Sequence, residues 1–192
     1  MGILIENILT ILPDTFAAKV CDVYIEGSKI AAVDMKPDGF SADKTISGSG
    51  KLLIPGLINA HTHSYMTIFR NCADDLPFHD WLFNRIMPME ERLTGDACYY
   101  GSLLSCIEMI STGTTTFLDM HMFPHMTPKA VCDSGMRAVI SRGLSGGADD
   151  AQDAVRRINE AFSEMHLWRG MEKIRFMLGP HSPYTCDEEY QR

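Results

Sequence analysis

Along residues 1–55, apolar positions come in short runs broken by turn-forming residues. Residues 3–12, ILIENILTIL, predict a strand stopped by Pro13 and Asp14. Residues 21–34, CDVYIEGSKIAAVD, predict two short strands joined at Gly27 and Ser28, a hairpin signal. Residues 35–44 read as a loop, and 44–56, KTISGSGKLLIPG, as strand fragments broken by glycines. A small β-rich segment is expected over 1–55.

Beyond Pro55, short apolar runs alternate with longer amphipathic stretches. GLINAH (56–61), TTTFLDM (114–120), MRAVISRG (136–143) and IRFMLGPH (174–181) predict four strands. After the first comes a partly helical stretch to about Leu93, then a helix capped by Thr94 and Asp96 and ended by Gly113. A short helix is predicted near Pro128 to Ser134. Residues 149–168 place Ala154, Ile158, Ala161, Phe162 and Met165 at helical spacing. Strands alternating with helices imply a parallel α/β unit over 56–192, of barrel or doubly wound type. Thr185 to Glu188, TCDE, is a capping box, so a helix should begin there. Arg192 follows about one turn later, and the pattern predicts a fold interrupted part-way.

Composition narrows the function. The 192 residues are 45% hydrophobic and 22% charged, as in globular proteins, and carry a net charge of −8 with no Lys/Arg block. That argues against nucleic acid or an anionic membrane as partner. The apolar opening MGILIENILTIL has no basic leader and is interrupted by Glu6 and Asn7, unlike a signal peptide. Six scattered cysteines without a C-x-x-C pair read as reduced thiols, and the expected compartment is the cytoplasm.

The chemistry concentrates at PGLINAHTH, residues 55–63. His61 and His63 are two apart on a strand end, hence on one side and roughly 6.6 Å apart along it. Such a pair can converge on one metal ion, at the strand end where parallel α/β folds bind ligands. Spacing alone leaves a chance pair open.

The context of the pair is more specific. LLIPGLINAHTH (52–63), after a β-rich segment, resembles the amidohydrolase superfamily of metal-dependent hydrolases. HTHSYMTIFRNCADDLPFHDWLFNRIMPMEERLT (61–94), STGTTTFLDM (111–120), SRG (141–143) and GPHSPYTC (179–186) are similar, in order, to its subgroup that deaminates S-adenosylhomocysteine and 5'-methylthioadenosine. The resemblance implies the N-terminal half of a (β/α)8, TIM-like barrel over 56–192, preceded by a β-sandwich segment over 1–55. It implies one divalent metal ion, zinc or alternatively iron, on His61 and His63. Trp81 and Glu90 would line a nucleoside pocket, with Glu90 accepting the ribose hydroxyls, a task suited to an acceptor-only group. Arg142 would meet a homocysteine carboxylate, and His181 a purine ring nitrogen.

Taken alone, Trp81 reads equally as a core aromatic, Glu90 as a solvated helix face, Arg142 as a strand cap and His181 as a loop residue. Arg156 and Arg157 read as a solvated helix face, His121 as a pocket wall and His125 as surface. In the family, further metal ligands and the proton-transfer groups follow the fifth, sixth and eighth strands, so this chain alone is expected to be catalytically incomplete. The expected function is hydrolytic deamination of adenosine-type thioether nucleosides. Another substrate, such as guanine or a chlorotriazine, and a non-catalytic fragment are the alternatives. Self-association through exposed strand edges, or pairing with a missing C-terminal half, is the expected protein partnership.

Overall fold

A computed structural model describes residues 1–12, 14–147, 150–183 and 185–191. Two compact units emerge, Met1–Pro55 and Gly56–Arg192. The first is a five-stranded mixed sheet. Strand β1 (Gly2–Ile11) pairs antiparallel with β2 (Ala18–Glu26), which pairs antiparallel with β3 (Lys29–Val33). On its other edge β1 takes β4 (Lys44–Ser47) and β5 (Leu52–Leu53), both parallel. The hairpin turns at Gly27, whose φ of 61° suits a residue without Cβ. Ile8, Val23, Tyr24 and Phe40 are buried, with the rings of Tyr24 and Phe40 edge-on at 5.1 Å.

The second unit is a parallel sheet. Strand β6 (Leu57–Thr62) pairs with β7 (Thr114–His121), and β7 with β8 (Arg137–Leu144). The expected fourth strand is two pieces, β9 (Ile174–Phe176) and β10 (Gly179–Pro180), each parallel to β8. Between β6 and β7 run a 3-10 turn (Ser64–Phe69), α1 (Phe78–Trp81), a π turn (Leu82–Ile86), α2 (Met87–Glu90) and α3 (Gly95–Ser111). Thr94 caps α3 as expected, its hydroxyl accepting from the Ala97 N–H at 3.2 Å. Helix α4 (Met126–Ser134) precedes β8 and α5 (Ala151–Leu167) follows it. The capping box does not start a helix among the described residues. The Thr185 hydroxyl turns to Ser182 and His181 instead, and the Asp187 carboxylate takes the Tyr190 N–H at 2.7 Å in a closing turn. No helix among the described residues is long and apolar enough to cross a membrane.

Strand alternation sorts the side chains of this sheet. Phe117, Ala138, Ile140 and Ile174 pack with Cys106, Met109 and Val131 into a core between sheet and helices. On β7, Asp119 and His121 share the parity of Phe117, and Leu118 and Met120 face the other way. His121 therefore leaves the pocket wall expected of it. Its Nε2 lies 2.8 Å from Glu164 Oε2 of α5, and both side chains are 1% exposed. Glu164 Oε1 accepts the His125 N–H at 2.5 Å, and the Trp168 indole donates to His125 Nδ1 at 3.3 Å. His125, expected at the surface, is half-buried by these contacts.

Removing one member of a buried pair strands the other, a loss of about 3–5 kcal/mol. Glu164→Ala should lower unfolding free energy by that amount in urea denaturation. Asp133→Ala, which breaks the exposed pair with Lys129, should cost under about 1 kcal/mol. Equal effects would show that Glu164 contributes no more than a surface charge.

Candidate active site

A cavity of about 560 Å³ opens on the face opposite the helix-packed core, at the carboxyl ends of the β6–β10 strands. His61, His63, Trp81, Glu90 and His181 all line it. The structure thus brings five of the six candidate residues together.

The His61 and His63 rings stand 5.0 Å apart, nearly perpendicular at 86°. His63 Nδ1 lies 3.0 Å from the Met120 carbonyl oxygen. A carbonyl can only accept, so Nδ1 carries the hydrogen and the Nε2 lone pair is left for another partner. Metal-binding histidines are held this way. Asp119, missed in the sequence, secures the chain on both sides of His63. Its Oδ1 takes the Thr62 hydroxyl at 2.6 Å and the Ser64 N–H at 2.7 Å. The available signal was the carboxylate ending TTTFLD, which the β6–β7 register sets opposite Thr62. A pair of imidazoles fits a divalent ion as part of a ligand set. No group of three His, Cys, Asp or Glu suited to a metal occurs among the described residues, whereas catalytic zinc takes three protein ligands and a water.

Trp81, Ile86 and Glu90 reach one cavity through the π turn between α1 and α2. A π turn admits an extra residue, so positions five apart share a side that regular helical spacing would separate. Glu90 accepts a hydrogen bond at Oε1 from the hydroxyl of Tyr65, a cavity residue only 2% exposed. Burial first, and then the Glu90 charge, push the Tyr65 phenol far above its ordinary pKa, so it stays a donor. Cys98 is also buried, and burial, with Glu90 next, raises its thiol to about 11.

His181 follows β10. Its N–H donates to the Leu144 carbonyl at 2.8 Å, and Nδ1 lies 3.0 Å from the Thr185 hydroxyl. The residue is exposed, yet enough of the ring faces protein that burial lowers its pKa, with His63 and His61 adding to the effect. It is a neutral imidazole near pH 7.

Arg142 is not among the residues lining the cavity. Ser141 and Gly143 are, and alternation sends the side chain between them to the helix side. There it is 4% exposed, with Nε 2.9 Å from Glu160 Oε2 and Nη1 2.9 Å from the Gly143 carbonyl oxygen. Arg156 keeps to the solvated face expected of it, paired with Asp153 and Glu160. Arg157 does not: it turns inward, donating to the carbonyl of Ser145, a cavity residue, at 2.6 Å.

Known proteins resemble this chain in sequence and fold. The chain is 45% identical to a 5-methylthioadenosine/S-adenosylhomocysteine deaminase of Carboxydothermus hydrogenoformans, over 99% of the chain and 44% of that protein. It is 48% identical to a 5'-deoxyadenosine deaminase of Methanothermobacter thermautotrophicus, over 87% of the chain and 39% of that protein. Among solved structures, a zinc-bound adenosine deaminase of Xanthomonas campestris superposes with a TM-score of 0.85 at 28% identity, over 98% of the chain and 44% of its own. The chain thus spans under half the length of these relatives, and its curled parallel sheet is the N-terminal half of a TIM-like hydrolase barrel. The profile of the amidohydrolase family matches residues 52–191. With its histidine pair on the first barrel strand of this fold, the chain belongs to the amidohydrolase family.

Proposed function

We propose that this chain forms the metal- and nucleoside-binding half of a hydrolytic deaminase acting on adenosine-type nucleosides, S-adenosylhomocysteine and 5'-methylthioadenosine among them. The observation that carries this reading is the convergence of His61, His63, Trp81, Glu90 and His181 on one cavity. The names of the relatives support the substrate class. His61 and His63 hold a single divalent ion, zinc or alternatively iron, with His63 oriented by the Met120 carbonyl. Such an ion supplies Lewis acidity and an activated water nucleophile. Trp81 offers an aromatic face to the purine, and Glu90 accepts the ribose hydroxyls. His181, neutral and hydrogen-bonded to Thr185, meets a ring nitrogen. Arg142 reaches a substrate carboxylate only by giving up Glu160, from a position where its Nη1 lies 3.5 Å from the sulfur of Met122 on the cavity wall. All six cysteines are free, which suits a reducing compartment such as the cytoplasm.

Joining residues 1–192 to the C-terminal remainder of the Carboxydothermus relative should give a folded chimera that releases ammonia from 5'-methylthioadenosine. His63→Ala should abolish that release along with metal uptake, whereas His166→Ala, at an exposed position of α5, should leave both intact. The 192-residue chain alone should release none. A folded, inactive chimera, or turnover by the chain alone that His61→Ala abolishes, would contradict this account.

In the chimera, Arg142→Met should lower kcat/KM for S-adenosylhomocysteine about ten- to 150-fold, the equivalent of a charge-assisted hydrogen bond. It should leave 5'-methylthioadenosine, which has no carboxylate, nearly unchanged. Equal losses would make the Arg142–Glu160 pair purely structural.

Strand β6 ends its sheet among the described residues, and its Leu57 and Ile58 are 53% and 72% exposed. An apolar unpaired edge is a template for association. The isolated chain should therefore sediment as oligomers, and a monodisperse monomer at micromolar concentration would refute this.

A further inference from the structure

The Tyr65–Glu90 contact joins a rigid group to a less constrained one. Tyr65 belongs to a turn fixed at several points. Its neighbour Ser64 bonds to Asp119 through the backbone and to the Ser102 hydroxyl at 3.0 Å, and the Thr67 hydroxyl donates to the Gly101 carbonyl at 2.6 Å. Helix α3 approaches so closely that a Cβ on Gly101 would lie 2.4 Å from the Tyr65 carbonyl oxygen. The phenol is thereby held in place from its backbone outward. Glu90 ends a four-residue helix behind a π turn, and among the described residues Tyr65 is the hydrogen-bond donor to its carboxylate.

We propose that Tyr65 is a positioning residue for Glu90, fixing the carboxylate through Oε1 so that its remaining lone pairs are set to accept the ribose hydroxyls. The role rests on the nucleoside reading above. A free carboxylate side chain loses rotamer freedom when it binds, and one already held by a rigid donor has less to lose. The phenol donates its one hydrogen to the anion, and its burial keeps solvent from taking its place. Tyr65 therefore acts on ribose recognition through Glu90, without any part in the bond-breaking step.

The test is equilibrium binding of adenosine and of 2',3'-dideoxyadenosine to the 192-residue chain, in chelator-treated buffer so that metal contacts do not contribute. Wild type should prefer adenosine. Glu90→Gln should reduce that preference. Tyr65→Phe should weaken adenosine binding about three- to tenfold, the size of one net hydrogen bond, and leave the dideoxy analogue unchanged. The Tyr65→Phe, Glu90→Gln double variant should bind adenosine no more weakly than Glu90→Gln alone. Equal weakening of both ligands by Tyr65→Phe would make Tyr65 merely structural, and a fully retained preference would also overturn the positioning role. In either case the nucleoside reading would stand. Absence of any ribose preference in wild type would overturn that reading and the role with it.

Discussion

Side chains of a parallel strand leave it alternately to two faces, and in this barrel half one face meets helices while the other lines a cavity. On β7 the alternation sends Phe117, Asp119 and His121 to the helices and Leu118 and Met120 to the cavity. On β8 it divides Arg142 from Ser141 and Gly143 in the same way. Each polar group sent to the dry face then needs a partner, because an unpaired buried charge is costly. Glu164 answers His121, Glu160 answers Arg142, and Thr62 with Ser64 answers Asp119. These pairings tie α5 and the post-β6 turn to the sheet.

The candidate site draws its rigidity from this dry side. His63 is fixed by the Met120 carbonyl and, through its neighbours, by the Asp119 carboxylate. Tyr65 is fixed by the same turn and by the close approach of α3 at Gly101. Cavity residues are thus held by backbone groups and by a carboxylate of the helix-packed face. That is the arrangement a preorganised site requires.

Amidohydrolase folds of similar outline include triazine hydrolases and guanine deaminase, at 24% and 17% identity, where likeness speaks for the fold alone. In this chain part of the cavity wall comes from residues 64–90, a 3-10 turn, two short helices and a π turn, and the rest from the strand ends.

The strands 114–121 and 137–144 and the helices 95–111, 126–134 and 151–167 were legible in the sequence, because apolar periodicity and end caps are local signals. So was the sharing of one strand side by His61 and His63. The split of the last strand, the fate of the TCDE box and the inward turn of Arg157 were not legible. Each depends on contacts with β8 or with residues far along the chain. The same holds for Asp119, 57 residues from Thr62, and for Tyr65, 25 residues from Glu90. A lone Arg142 in SRG reads the same whether it faces a ligand or a helix. Only the sheet's register and the packing of α5 set it against Glu160, because burial forces a charge toward whatever partner the tertiary fold puts within hydrogen-bond reach.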